Sequence, residues 1–221
     1  MILLIESSAE YPSVALVTEA GTLAHLEVGK EVQSHAELLP MMVQRAVELS
    51  NSEFGIFTKG ISAVGFHEGP GSYTGLRIGV SLAKGLCFAK GIPLISVSGF
   101  EALGVEILRS NESLNSVWVM MDARRDEVYA LKLERISVPG SGSDYQVSLP
   151  ICAMILPDTR VGEPDEKTCF VGNANEKVAR LVANSGSKFI DLSPRADHLS
   201  NLSVFFFFKQ KTAYEILRSD W

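Results

Sequence analysis

The residues with the clearest chemical signature form a glycine-rich block, Gly69-Pro-Gly-Ser-Tyr-Thr-Gly-Leu-Arg-Ile-Gly79. Glycine-rich turns that lead into a helix can bind phosphate through their backbone N–H groups. A phosphate loop is incomplete here, because it needs Gly-Lys-Ser/Thr where this chain has Gly75-Leu-Arg, and the dinucleotide fingerprint is absent as well. Ser72 is expected to cap the following helix. The block therefore predicts a turn and a helix start rather than a nucleotide site.

Small residues recur every four positions through this block and beyond it. Residues four apart lie on one face of a helix. A glycine inside a helix costs about 1 kcal/mol relative to alanine, so a close contact with another backbone should compensate. Two partners for this face remain open, the protein's own sheet and a helix of another subunit. On the second alternative the interface residues are Gly71, Tyr73, Gly75, Arg77, Gly79 and Ala83.

A second apolar helix is predicted to follow Ser34, which forms a capping-box pattern with Glu37. Pro40 lacks a backbone N–H and predicts a kink or a late helix start. The apolar residues of this helix form two stripes, and Leu38 and Met42 belong to the stripe that is turned away from the predicted sheet contact. This surface fits a contact with a partner, for which Leu38 and Met42 are candidates, or a well-buried helix.

A charged cluster, Asp122-Ala-Arg-Arg-Asp-Glu-Val-Tyr129, lies between two predicted strands. Asp122 and Arg124 belong either to a solvated turn with an ion pair or to a residual phosphate or partner site. The four histidines show no metal-binding spacing, and no serine elbow of the GxSxG type occurs. The sequence thus predicts no catalytic residue and no metal site.

The composition excludes several classes of protein. A chain of 221 residues with 46% apolar residues can bury the core of one or two domains. A net charge of −6 without a basic run argues against nucleic-acid binding by this chain alone. The three cysteines are widely spaced, so neither a disulfide framework nor a zinc ribbon is expected. The N-terminus lacks a signal-peptide pattern, and no stretch reaches the about 18 apolar residues of a membrane span, so a cytoplasmic protein is expected.

Apolar runs and turn residues predict the elements that position these groups. The first half predicts strands at 2–5, 13–17, 22–28, 61–66 and 93–97 and helices at 34–50, 73–89 and 99–108. The second half predicts strands at 117–122, 127–133, 147–156 and 169–172 and a helix at 175–183. The second half repeats the first in shortened form, after a polar link at 111–115. Such an order predicts an α/β protein with mixed sheets covered by helices.

Several short segments occur together in a distinctive order. They are Ile5-Glu-Ser-Ser8, Ser13-Val-Ala-Leu16, His35 with Leu38-Leu-Pro40, the glycine-rich block, and Asp122-Ala-Arg with Glu127-Val-Tyr129. Over roughly residues 1–202 the chain resembles the TsaB (YeaZ) family, bacterial accessory proteins of tRNA threonylcarbamoyladenosine synthesis. The resemblance implies a two-lobed actin-like ATPase (ribonuclease H-like) fold with an abridged second lobe.

The resemblance also implies a function. The family member pairs with the larger TsaD and works with the ATPase TsaE, in the transfer of a threonylcarbamoyl group to the adenosine beside the anticodon of ANN-decoding tRNAs. ATP and the catalytic metal belong to the partner subunits, so the chain is expected to be a non-catalytic scaffold with no cofactor of its own. Helices of the first half join it to TsaD, or to a second copy in a homodimer. The complex, and not the isolated subunit, is expected to bind tRNA.

Two departures of this sequence from the pattern of actin-like proteins also argue against catalysis by this chain alone. Actin-like ATPases carry an Asp and a glycine-bearing hairpin after the first strand, whereas this chain has Glu6 followed by Ser7-Ser-Ala-Glu-Tyr-Pro12. Glu6 is therefore a candidate only for a residual phosphate or partner site. TsaD has two histidines on its helix, and only His35 matches here. A stand-alone actin-fold ATPase or kinase, or a metallopeptidase, is the alternative, and it rests on fold analogy alone.

The last residues depart from the family pattern. The segment 205–221 opens with Phe205-Phe-Phe-Phe208 and looks like translated sequencing adapter, so we expect a foreign tail there and not a membrane anchor. The predicted domains are a first lobe at 1–112, which carries the partner-binding helices, a second lobe at 113–204, and the tail at 205–221.

Overall fold

A computed structural model describes residues 1–18, 21–27, 34–54, 60–136, 144–182 and 185–204. The predicted tail lies outside the described residues. Within them, the chain divides into two compact units. The first contains Met1–Ala102 together with the described residues from Pro194 onward, and the second contains Leu103–Ser193. The unit limits thus differ from the predicted lobes of 1–112 and 113–204, because the last described segment returns to the first unit.

The first unit is built on a five-stranded sheet of order β3-β2-β1-β4-β5. β1 pairs antiparallel with β2 and parallel with β4. The strands are β1 (Ile2–Glu6), β2 (Ser13–Thr18), β3 (Gly21–Glu27), β4 (Ala63–His67) and β5 (Leu94–Val97). All five residues of β1 are buried, since both faces of this central strand are covered. Its continuous apolar sequence is what a strand buried on both faces requires.

Helices α1 (His35–Phe54) and α2 (Tyr73–Lys90) cover one face of this sheet, where Leu39 and Ala83 pack with Leu3 and Ile5 of β1. α2 starts where the sequence predicted, and the predicted cap is confirmed because Ser72 Oγ accepts a hydrogen bond of 3.3 Å from the Gly75 N–H. α1 begins at His35 and continues through Pro40, so the predicted late start is wrong.

The other face of the first sheet is covered from two distant parts of the chain. One is Ala102 of α3 (Gly99–Ser110). The other is the last described segment, whose apolar residues Leu199 and Leu202 pack against β1, and which ends in α5 (Ser200–Val204). The Ala196 N–H donates a hydrogen bond of 2.9 Å to Ser13 Oγ and fixes this segment to β2. These contacts explain why the segment belongs to the first unit.

The second unit repeats the first strand order. Its sheet has the order β10-β9-β6-β7-β8, in which β6 takes the place of β1. The elements are β6 (Ser116–Asp122), β7 (Glu127–Arg135), β8 (Tyr145–Ile155), β9 (Thr168–Val171), α4 (Asn175–Ala179) and β10 (Lys188–Ile190). α4 is shorter than predicted, and β10 was not predicted. Trp118 and Phe170 stack in the core with ring centroids 6.3 Å apart.

The C-terminal end of α3 is held by one arginine in the second unit. Arg135 Nε donates to the Leu114 carbonyl at 3.0 Å, and Nη2 donates to the carbonyls of Asn111, at 3.2 Å, and Leu108. Carbonyl groups in the last turn of a helix lack partners within the helix. Arg135 supplies such a partner at Leu108 and joins the helix end to β7.

We expect Arg135→Met to lower the free energy of unfolding by about 2 kcal/mol, because hydrogen bonds from a charged donor contribute about 1.5–3 kcal/mol. Urea denaturation would measure the change. Arg180→Met, at an exposed arginine of the same unit, is the matched control and should change stability by less than about 0.5 kcal/mol. Equal effects of the two substitutions would contradict the role given to Arg135.

Candidate functional site

The first unit contains a buried acid–histidine pair at the carboxyl ends of two neighbouring parallel strands. Glu6 ends β1 and His67 ends β4, and both side chains are almost completely inaccessible. His67 Nδ1 donates to Glu6 Oε2, and Glu6 Oε1 accepts from the backbone N–H groups of Ser8 and Ala9. Both carboxylate oxygens are therefore occupied by the protein itself.

Each member of the pair favours the charged form of the other. Burial alone raises the pKa of Glu6, but the charge and hydrogen bond of His67 and the bonds from Ser8 outweigh it and hold this pKa below its ordinary value of 4.5. Burial alone lowers the pKa of His67, but the charge and hydrogen bond of Glu6 raise it above 6.5. A buried carboxylate with this partner forms an ion pair, not an available phosphate or metal ligand.

The nearby serine does not complete a catalytic triad. Ser8 Oγ lies 3.0 Å from His67 Nδ1, the same nitrogen that contacts Glu6. A nucleophilic serine and its orienting carboxylate need opposite nitrogens of the imidazole ring. The other nitrogen, Nε2, faces the backbone of Gly99, where a Cβ atom would lie only 2.7 Å away. The geometry therefore makes this pair a packed structural group.

The small-residue ladder faces the protein's own chain. A Cβ atom at Gly75 would lie 1.9 Å from the Ser7 carbonyl oxygen, and one at Gly79 would lie 2.1 Å from Ser7 Oγ. At Gly71 it would lie 2.4 Å from Ser8 Cβ. Of the two partners left open for this face, the geometry favours the protein's own chain, because α2 uses these glycines to lie directly on the loop after β1. Ala83, one turn further, is fully buried in the same core.

Some of the other predicted interface residues pack in the core of the first unit, and others are exposed. Met42 is 6% exposed and packs in the core near Leu39, which favours the alternative of a well-buried helix at this position. Leu38 is half-buried against the same core. Tyr73 is 73% exposed, and the Arg77 guanidinium lies 5.2 Å from its ring centroid. Tyr73 and Arg77 thus lie on the opposite side of α2 from the glycines.

That opposite side forms a surface with α1, which we call the outer face. It contains a shallow groove of about 470 Å³ lined by Ala36, Pro40, Tyr73, Thr74, Arg77, Ile78, Ser81 and Leu82. Phe88 is 81% exposed further along α2, and Met41 is 63% exposed on α1. Gly85 has open space where a side chain would point. Exposed apolar side chains around a groove are typical of a binding surface.

The charged cluster of the second unit forms a turn at the end of β6. Asp122 Oδ1 accepts bonds of 2.7 Å from Lys177 Nζ and from the Arg124 N–H. The bond from Lys177 is the main reason that the pKa of Asp122 lies below its ordinary value. Arg124 contributes its backbone, at a φ of +79°, and its side chain is exposed. Of the two alternatives, the geometry supports a turn with an ion pair, whose cation is Lys177.

Asp122 and Glu6 hold equivalent positions in the two sheets. Each ends the central strand of its sheet, and each accepts a bond from the amide two residues later. The sequence singled out both acids but missed His67, which lies one residue beyond the predicted strand 61–66. The rule that carboxyl ends of neighbouring parallel strands meet at one edge could have paired it with Glu6.

The described residues contain neither a metal-binding cluster nor a membrane-spanning helix. In that part of the chain no three histidine, cysteine or acidic side chains converge in a way that could hold a metal ion. The helices found there are all too short or too polar to cross a lipid bilayer.

The duplicated strand order and the helices over the first sheet place the chain in the class of two-unit α/β proteins with an actin-like ATPase fold, as predicted. The structure of YeaZ from Pseudomonas aeruginosa matches with a TM-score of 0.70 and 29% identity, over 93% of this chain and 90% of that one.

Sequence comparisons define the family. The family model "TsaD: tRNA N6-adenosine threonylcarbamoyltransferase" matches residues 30–148. The tRNA threonylcarbamoyladenosine biosynthesis protein TsaB of Bacillus subtilis is 30% identical over 78% of this chain and 70% of its own length. TsaB of Haemophilus influenzae is 32% identical over 65% of this chain, and the match spans 58% of that protein. The chain belongs to the TsaB family.

Proposed function

We propose that this protein is a non-catalytic scaffold subunit in tRNA threonylcarbamoyladenosine biosynthesis, and that its outer face binds a TsaD-type subunit. The observation that carries the proposal is the groove between α1 and α2, which the exposed Tyr73 lines, together with the exposure of Phe88 and Met41 on the same two helices. A chain that needed these helices only for its own core would not gain from such side chains on their solvent side.

The choice of partner rests on homology between the two subunits. The matched TsaD model covers residues 30–148, a range that includes both helices of the outer face. A TsaD-type chain therefore carries an equivalent helix pair. Two related surfaces can pack about a local two-fold axis, as identical ones do in symmetric dimers. A homodimer through the same face is the competing outcome.

The hydrogen bonds and packing around Glu6 support the scaffold role. Both oxygens of Glu6 are bonded within the protein, and α2 packs on the loop where actin-like ATPases approach phosphate. Catalysis, ATP and the metal are assigned to TsaD and TsaE. Contacts with tRNA are assigned to the assembly, because a chain of net charge −6 is poorly suited to neutralise phosphates by itself.

We expect Tyr73→Ala to weaken binding to the TsaD-type subunit of the same organism by roughly 30-fold, since a central aromatic residue contributes about 2 kcal/mol or more to an interface. Titration calorimetry would measure the affinity. Tyr129→Ala removes a partly exposed tyrosine from the second unit and is the matched control, for which unchanged affinity is expected.

Equal affinities of the parent and Tyr73→Ala proteins would contradict this assignment of the outer face. A stable homodimer that Tyr73→Ala dissociates, with no binding of TsaD, would assign the face to a second copy. A reconstituted tRNA modification assay with and without the subunit tests the scaffold role. Hydrolysis of ATP or of peptides by the isolated protein would contradict the non-catalytic part.

A further inference from the structure

The loop Ser7–Ser8 lies between the buried Glu6–His67 pair and helix α2. On the α2 side, Ser7 Oγ donates to the Gly75 carbonyl at 2.8 Å, and the Ser72 N–H donates to the Ser8 carbonyl at 2.9 Å. Because Gly71 and Gly75 have no side chains, the helix backbone rests on the loop without an intervening layer. A shift of this loop must therefore move the start of α2.

On its other side, the same loop is held by the ion pair. The Ser8 N–H donates to Glu6, and Ser8 Oγ lies within hydrogen-bond distance of His67. These bonds are to charged groups in a buried environment, where each is stronger than its counterpart at the surface. The position of Ser8 thus depends on the charge state of the pair.

The first turns of α2 also contribute residues to the outer face. Tyr73 follows the cap residue Ser72 directly, and Arg77 lies one turn later. The glycines that contact the loop and the exposed residues of the outer face alternate along the same two turns. One rigid helix therefore connects the buried pair to the groove.

We propose that Glu6 and His67 are positioning residues for the outer face: through the Ser7–Ser8 loop they set how firmly the start of α2 is held, and hence how tightly the protein binds its partner subunit. This inference rests on the proposed function. Glu6, which the sequence made a candidate for a residual phosphate or partner site, thereby acts on partner affinity.

The proposal includes a pH dependence of binding. The charged groups that act on His67 are Glu6 from β1 and, more weakly, Glu68 beside it. The backbone of Gly69 also favours its charged form, and Gly99 at the start of α3 packs against the ring. Since Glu6 raises the pKa of His67, the pair loses its positive member at a more alkaline pH than an ordinary histidine would. Partner affinity should fall over that alkaline range.

Affinity for the TsaD-type subunit, measured by titration calorimetry between pH 6 and 9, tests the inference on the full chain. Glu6→Gln keeps the shape of the side chain and removes its charge, and should weaken binding at neutral pH by about tenfold and flatten its pH profile. Amide hydrogen exchange in the first turn of α2 should become faster. Glu10→Gln, at an exposed acid of the same loop, is the matched control and should change neither.

Ser7→Ala provides a second variant should Glu6→Gln fold poorly, because it removes only the bond to Gly75 and leaves the ion pair in place. It should weaken binding and speed exchange in the same turn. Parent-like affinity and pH profile for a folded Glu6→Gln or Ser7→Ala protein would overturn this inference alone. Absence of binding by the parent protein would overturn the proposed function, and this inference with it.

Discussion

Gly75→Ala should lower the free energy of unfolding by about 3 kcal/mol, a large effect for one added methyl group. The new Cβ atom would stand 1.9 Å from the Ser7 carbonyl oxygen, well inside van der Waals contact. Neither side of this contact can yield easily, because the Cβ atom is fixed to the helix backbone and its neighbour is a backbone carbonyl group. Denaturant unfolding followed by circular dichroism would measure the loss.

Gly85 in the same helix provides the matched control. Nothing lies within 4 Å of a Cβ atom there, so Gly85→Ala should stabilise the protein by up to about 1 kcal/mol through helix propensity. The opposite signs of the two substitutions are the decisive result. If the glycine ladder were a subunit interface, Gly75→Ala would instead leave the isolated protein as stable as Gly85→Ala does.

His67→Ala should lower the free energy of unfolding by about 3 kcal/mol at neutral pH, because it leaves the carboxylate of Glu6 buried without its cation. In the parent protein, the stabilisation from His67 is fully present below the ordinary pKa of 6.5 and is lost as the pH rises through its raised pKa in the folded state. The stabilisation from Glu6 is present above 4.5 and is lost as the pH falls through its lowered pKa.

The parent protein should therefore be most stable between these limits, and His67→Ala should remove the decline on the alkaline side. Urea denaturation across the pH range would record both effects. Glu68→Gln changes an exposed acid next to His67 and serves as the control, for which most of the alkaline decline should remain. A decline of the same size in His67→Ala would show that the pair is not the titrating group.

Much of the fold could be predicted because its signals are local. The cap at Ser72 and the start of α2 follow from hydrogen-bonding preferences within one turn, and the apolar run at 2–5 marks a central strand directly. β10 was missed because its three residues, at the edge of the sheet, carry no pattern of their own. The return of the segment from Pro194 to the first unit depends on contacts with β1 and β2, which no local signal encodes.

The site was harder to predict, because residue spacing shows which side chains share a helix face but not what that face packs against. A repeat of four places Gly71, Gly75 and Gly79 on one face, but it cannot say whether that face lies toward the sheet or toward solvent. The same limit left open whether Met42 faces a partner or the core, and it packs in the core. Tyr73 and Arg77 were singled out with the glycines, yet they lie on the opposite side of α2, where the groove is.

The first unit contains residues from both the N-terminal part of the chain and the segment from Pro194 onward, so it cannot be completed until that segment is synthesised. The second unit is one continuous segment and is fully synthesised before the ribosome reaches Pro194. Until Leu199 and Leu202 emerge from the ribosome, the face of β1 that they cover lacks these contacts. The second unit can therefore form first during translation, whereas the unit that carries the outer face is completed only after the segment from Pro194 has been synthesised.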